Sequence, residues 1–457
     1  MKPQEYLSQQ RARFLDDLKG WLAIPSISAL PAHKPDMQRA ADHLVGMLKR
    51  AGIDRAEVRP SDFNPVVYAE HLHAPGKPTI LVYGHYDVMP VDPLNEWASK
   101  PFAAEVRDNF LYGRGSADDK GQIAIVTNAV EALIKTGTPP CNFKFIVEGG
   151  EEVGSEGLDK YLAQHQQELA CDAVLVSDTG MAGIDKPSLC VGLRGLCYVE
   201  VFFNGPATDL HSGSFGGIVE NPAIALAHLI SQLKDRSGKV LIPGFYDDVR
   251  SLTPADRAAI QAAAKTDADL LKSTGAPKLC GEPGFTPTER IWARPTLDVN
   301  GIYGGFTGEG AKTVIPAQAA AKISMRLVAD QSPDKISELF EKFVNQIAPD
   351  TVKVRVSRLH GGFPYLARTD GPAIAAGKQA LKEAFGSEPL LEREGGSIPI
   401  VVTLAQALKV DVVLMGFGYP DEHSHAPNEH LPLSHFDKGM VAAARFFELA
   451  GASLKAR

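Results

Sequence analysis

Three features of this 457-residue sequence predict an α/β fold, a mostly parallel-sheet domain with a smaller α+β domain inserted into it. Four short apolar runs each end in glycine or acidic residues. A segment of helical period joins the first two, which is the grammar of a βαβ unit. From about residue 195 the pattern changes to strands with a single apolar face. The expected division is 1–194 and 364–457 for the larger domain and 195–363 for the insertion.

Taken in order, TILVYG (79–84) and NFKFIVEG (142–149) are apolar almost throughout, as strands covered on both faces must be. Between them GQIAIVTNAVEALIKTG (121–137) sets Ile123, Val126, Val130 and Leu133 on one helical face and stops at Gly137, predicting an amphipathic helix lying on the sheet. DAVLVSD (172–178) is a third buried strand. GLCYVEVFF (195–203) and AKISMRLV (321–328) read as half-buried strands. In the second, Ile323, Met325 and Leu327 alternate with Lys322, Ser324 and Arg326, so Arg326 belongs to the polar face. Residues 241–297 are irregular and rich in proline, with one helix-like stretch, TPADRAAIQAAAK (253–265). βα grammar returns with GPAIAAGKQALKEAFG (371–386) and the fourth buried strand, DVVLMGF (411–417). No internal repeat or low-complexity tract interrupts this order.

Composition narrows the function classes. An apolar content of 44% over this length supports two packed domains. A net charge of -8 argues against a nucleic-acid partner, which would require a basic face. The start, MKPQEYLSQQRARFLDDLKGWLAIPSIS, lacks the apolar core of a secretion signal, and no apolar run is long enough to span a bilayer. Five cysteines, without CxxC spacing and mostly beside apolar runs, read as buried reduced thiols, which suits the cytoplasm.

The strand ends carry the chemistry. In FIVEGGEEVGSEG (145–157), Glu151 and Glu152 stand side by side after a buried strand, and taken alone they would be a solvated turn. Yet TILVYG runs into His85 and Asp87, DAVLVS into Asp178, and the 411–417 strand into a loop carrying His423 and His425. Asp118 and Asp119 precede the 121–137 helix, where an aspartate is ordinarily an N-cap. In parallel sheets ligands bind at the carboxyl ends of strands, so one shared site is more economical than five unrelated loop residues. Carboxylates gathered there would repel unless cations sat between them. Two imidazoles and three carboxylates suit a pair of divalent ions about 3.5–4 Å apart, with one carboxylate bridging and a further acid left to move protons.

GHYDV, YGRGSADDKG, VEGGEEVGSEG, SDTG, DLHSGSFGG, GAKTVIP, REGGSIP and HSHAPNE, in this order over most of the chain, resemble the M20 metallopeptidase family, especially its cytosolic nonspecific dipeptidase and carnosinase branch. The resemblance implies two divalent ions per subunit, zinc or else manganese or cobalt. His85 and Asp178 would hold one ion, Glu152 and His425 the other, and Asp118 would bridge. His425 is preferred to His423 because the family pattern places the ligand at the start of HAPNE. Asp87 would orient His85, Glu151 would act as general base, and Asp119 would follow Asp118 across a strained or cis peptide.

The same resemblance makes the inserted domain a lid and a dimerisation element. His211, in DLHSGSFGGIVENP, would stabilise the developing oxyanion, often from the neighbouring subunit, although by itself it reads as a loop residue. Arg326 would grip a terminal carboxylate with its forked donors. Thr313, His360, Glu394, Gly396 and Ser397 match weaker substrate contacts, the glycine pair at 395–396 having a plain turn as its alternative. The expected activity is hydrolysis of dipeptides or short peptides by a homodimer. The alternatives are an N-acyl-amino-acid deacylase of the same family, or an inert binding relative, which the intact base, bridge and ligands disfavour.

Overall fold

The computed structural model describes residues 1–137, 139–395 and 398–456. The chain divides into two compact units. One comprises Met1–Val191, Ala367–Glu392 and Ile400–Arg457; the other comprises Gly192–Leu366 and Arg393–Pro399.

The first unit is built on a twisted sheet containing β1 (Arg55–Arg59), β2 (Val66–His71), β3 (Thr79–His85), β4 (Asn142–Glu148), β5 (Ala173–Val176) and β6 (Asp411–Leu414), in the spatial order β1-β2-β4-β3-β5-β6. β4, β3, β5 and β6 pair in parallel. β1 and β2 add an antiparallel edge that the sequence pattern did not announce. RAEVR carries three charges in five residues and looks like surface chain, and only its pairing with β2 makes it a strand. The chain leaves β3 in one direction to β4 and returns past it to β5. Their carboxyl ends therefore flank a switch point, where a parallel sheet opens a crevice.

Among the described residues, five long helices flank the sheet: α1 (Pro3–Leu22), α2 (Lys34–Ala51), α3 (Lys120–Thr136), α4 (Pro372–Phe385) and α5 (Leu433–Ser453). The expected amphipathic helix is α3, but it has no solvent face over its first four turns, because α1, α2 and α5 pack around it. Small residues at Gly121, Ala124, Ala129 and Ala132 allow that approach. Several of its polar side chains find partners inside, whereas Thr127 Oγ1 and Asn128 Nδ2 do not. The Gln122 side chain donates to the Ala117 carbonyl at 2.9 Å and accepts from the Phe417 amide at 2.7 Å, and Glu131 accepts from the Tyr6 hydroxyl at 2.8 Å.

The second unit has a four-stranded antiparallel sheet, ordered Thr296–Gly304, Gln318–Leu327, Gly195–Asn204, Lys353–Gly362. Burial alternates residue by residue along Gly195–Asn204. Cys197, Val199, Val201 and Phe203 join Ile323, Met325 and Leu327 in a core capped by the helices Pro222–Leu233 and Pro333–Ile347. Residues 241–297 hold three short helices, Pro254–Ala262, Asp267–Thr274 and Pro287–Ala293. Each starts at a threonine whose hydroxyl accepts the N3 amide, from Asp256, Asp269 and Glu289. TPAD and TPTE were capping boxes legible in the sequence.

All five cysteines are thiols, four of them buried. Cys280 departs from the expectation, lying exposed in a loop without apolar cover. Among the described residues no helix is long and apolar enough to cross a membrane.

Candidate metal and active site

His85 closes β3 and is wholly buried. Its Nδ1 lies 3.1 Å from the Asp87 carbonyl oxygen and 3.3 Å from Asp87 Oδ1, which leaves Nε2 facing outward from the strand end. The Asp87 carboxylate also accepts the backbone amides of both Glu151 and Glu152, each at 3.2 Å, and so ties the turn after β4 to the end of β3. That closure rests on the parallel pairing of the two strands, in which the Tyr86 amide donates to the Glu148 carbonyl at 2.8 Å.

α3 begins against the same strand end. A Cβ on Gly84 would lie 2.1 Å from Ile123 Cδ1 and 2.5 Å from Asp119 Oδ2, so only glycine lets the helix start come this close. The Asp118–Asp119 peptide is cis. Asp119 sits at the N-cap position but makes no capping bond, and its Oδ2 instead accepts the His85 amide at 3.1 Å.

Asp118 stands between two imidazoles. Its Oδ1 is 3.0 Å from His85 Nε2, and its Oδ2 is 3.0 Å from His425 Nε2. Asp178 Oδ1 lies 3.8 Å from His85 Nε2, and Glu152 Oε2 lies 3.1 Å from His425 Nε2. The donor atoms of His85, Asp118 and Asp178 fall within 4.8 Å of one another, and so do those of Asp118, Glu152 and His425. His423 is not in either group, its Nδ1 lying 3.1 Å from the Pro427 carbonyl oxygen.

Burial and crowding govern the charges. Burial pushes the Glu151 carboxyl well above its ordinary range; the His85 charge opposes this, and Asp178, Asp118 and Glu152 add to it. Glu152 is pushed up to about 7 by burial and by Asp118, against the contact with His425. Asp178 is raised chiefly by burial. His425 is raised to about 10 by its contacts with Asp118 and Glu152. Without counter-cations the cluster has to take up protons, the expected response of like charges in a dry site. Divalent ions relieve the same repulsion, and the donor set of two imidazoles and three carboxylates is the set such ions take. His85 Nε2 supports the fit, because it is buried and lacks a hydrogen-bond partner despite its short approach to Asp118.

Two supporting acids escaped the sequence reading. Glu429, fully buried, accepts from Arg114 Nη1 at 2.7 Å and from the amides of Gly115, Ala117 and Asp118, each at 3.0 Å. It shapes the loop that presents Asp118. Glu422 accepts from the Tyr419 amide and the Ser424 hydroxyl, each at 2.6 Å, and braces the loop that presents His425. Glu429 closes the HAPNE motif and Arg114 lies in YGRGS, so both were in view as letters but not as a pair.

In the second unit, His211 ends a two-residue strand paired with Val314–Ile315, and the Thr313 carbonyl accepts the Ser212 amide at 3.1 Å, so His211 and Thr313 are neighbours. His211 Nδ1 accepts the Gly213 amide at 3.0 Å. Arg326 is half-buried on the polar face of its strand, and His360, exposed, packs its ring edgewise on Tyr198 at 5.0 Å between centroids. Glu394 lines a small cavity with Arg194, Trp292 and Arg393. Arg194 was not foreseen. Burial, and then the nearby charge of Arg326, push it down to about 10. Gly396 and Ser397 lie outside the described residues.

The sequence profile of peptidase family M20/M25/M40 matches residues 81–449. The chain belongs to this family. The M20 assignment makes it a metal-dependent hydrolase of the peptidase class. Among M20 relatives, it is 35% identical over 471 residues to the Cys-Gly metallodipeptidase dug1 of Schizosaccharomyces pombe, covering 99% of this chain and 98% of that one. It is 31% identical over 461 residues to the human Beta-Ala-His dipeptidase, covering 97% and 91%. Its fold matches an M20 family metallo-carboxypeptidase from Sulfolobus solfataricus with a TM-score of 0.85 at 32% identity, covering 96% of this chain and 99% of that one.

Proposed function

We propose that this M20 protein hydrolyses dipeptides or short peptides with two divalent ions, zinc foremost, held by His85, Asp178 and Asp118 on one side and by Glu152, His425 and Asp118 on the other. The observation that carries this reading is the position of Asp118, whose two oxygens each face a different imidazole at 3.0 Å. The names of the yeast and human relatives support a dipeptide substrate. Bound there, such ions supply Lewis-acid polarisation of a carbonyl and lower the pKa of a water molecule.

The chain's own groups do the rest. Glu151, with a raised proton affinity and its backbone anchored on Asp87, accepts a proton from the attacking water and returns it to the leaving amine. Asp87 holds the His85 ring so that Nε2 is presented as a lone pair. His211 keeps the proton of its neutral ring on Nε2, since Nδ1 is an acceptor, and this N–H serves as the oxyanion donor. Arg326 binds the substrate's terminal carboxylate, and Thr313, His360, Glu394, Gly396 and Ser397 complete the substrate contacts.

The inserted domain, residues 195–363, acts as lid and dimer interface and brings His211 to the active site of the partner subunit. Exposed Ile218, Ile302, Tyr303 and Phe306 offer apolar surface for that interface. The cysteines, all thiols, fit a cytoplasmic location.

The deciding experiment separates the adjacent glutamates. Glu151→Gln is expected to lower turnover by roughly 10²–10⁴-fold while keeping the wild-type metal content, and Glu152→Gln to lose metal. Elemental analysis showing the opposite pattern overturns the assignment.

A further inference from the structure

We propose that Asp54, His71 and His73 form a separate metal site for a borderline transition ion such as zinc, nickel or cobalt(II), at the far edge of the sheet from the catalytic cluster. Their donor atoms lie within 4.8 Å of one another. Asp54 Oδ2 is 2.9 Å from His71 Nδ1 and 2.6 Å from His73 Nε2, so two imidazoles converge on one carboxylate oxygen. A simple ion pair explains one such contact. It explains two poorly, because the rings are only 4.6 Å apart between centroids and would repel if both were charged. His71 is 7% exposed, and its Nδ1 has no hydrogen-bond partner in spite of the short distance to Asp54. A lone pair aimed at a shared cation suits that geometry better than an N–H bond does.

The backbone builds the site from ordered elements. α2 ends at Gly52, whose φ of 96° turns the chain into β1. The register Arg55↔Glu70 then sets Asp54 across from His71, the last residue of β2. His73 follows at the two-residue spacing that returns a side chain to the same side. Two nitrogens and one carboxylate oxygen favour a borderline ion over magnesium or calcium, which take oxygen-rich sets. β2 runs antiparallel to β4 and pairs His71 with Phe143, whereas β4 reaches the catalytic cluster only at Glu148. Five residues of strand separate the two positions, roughly 17 Å at ~3.3 Å per residue. An ion here would clasp the turn after α2 to the exit of β2, and by binding only the folded edge it would raise the melting temperature by mass action.

The test uses the full-length protein, freed of metal by chelation, reloaded with cobalt(II) or zinc chloride at micromolar free ion, and analysed for metal per chain. His73→Ala and Asp54→Asn alter side chains that are 61% and 55% exposed, so neither disturbs the core. Each is expected to hold one ion fewer per chain than the wild type, to keep peptide hydrolysis, and to lose the part of the zinc-induced rise in Tm that this site supplies. Should one variant fail to fold by circular dichroism, the other decides. Metal content equal to the wild type in a folded variant overturns the site. Loss of an ion together with loss of hydrolysis assigns that ion to the catalytic cluster, and overturns it equally.

Discussion

The carboxyl ends of β3, β4 and β5 and the polar face of the second unit's sheet both display polar side chains from strands, yet they hold them in opposite ways. At the strand ends, donors from separate loops converge and all but His425, 54% exposed, are largely shielded from solvent. His85 is fully buried, and the Asp178 and Glu152 side chains are 12% and 3% exposed. On the second sheet, Arg326 alternates with the buried Met325 and Leu327, and His360 lies exposed on the outer strand, packed edgewise on Tyr198. The first arrangement stores mutual repulsion that cations relieve, whereas the second costs little to fold. A substitution at the strand ends should therefore change metal content, and one on the second unit should change substrate handling with the metals in place.

The largest effect expected under this contrast is at Asp118. Asp118→Asn removes the charge shared by both groups of donors, so bound metal should fall from about two ions per chain toward none, with turnover reduced beyond the ~10²–10⁴-fold of a proton-transfer residue. Retention of both ions in folded protein would break the comparison at its root.

His211→Ala should lower kcat by about 10²–10³-fold, the cost of one oxyanion donor, with little change in KM and none in metal content. Mixing His211→Ala with Glu151→Gln subunits sharpens the point. If His211 serves the partner's site, mixed dimers carry both lesions in one site and leave the other intact, so about half of one dimer's activity returns. Absence of recovery, with subunit exchange verified by mass, rejects action in trans.

Arg326→Ala has the smallest expected effect. It should weaken free-acid dipeptides by about 1.5–3 kcal/mol in kcat/KM and C-terminally amidated ones much less, since only the former present a carboxylate to the guanidinium. Equal losses for both substrates would remove Arg326 from that role.

The strands that build the crevice were legible because each is a local pattern. TILVYG and NFKFIVEG are too apolar to face water on either side, and Ile323, Met325 and Leu327 announce a one-faced strand by alternation alone. α3 misled on one point. Its apolar stripe is real, but its other faces are covered by helices from both ends of the chain, which periodicity within seventeen residues does not report. β1 was invisible for the converse reason, since its charged residues become a strand only by pairing with β2.

Residue types and their place after buried strands are properties of short stretches, and with them the sequence alone established the parallel-sheet domain, the inserted second pattern, and a gathering of imidazoles and carboxylates that calls for metal. Tertiary structure decided which of them meet. It brings His425 and not His423 to Asp118, hangs both glutamate amides on Asp87, and sets Glu429 beneath the Asp118 loop. Glu429 and Asp118 are 311 positions apart, and the hydrogen bond between them exists only once the chain has closed around it. Proton affinity follows the same rule, because burial and neighbouring charge set it and neither is a property of a residue within its own stretch of sequence.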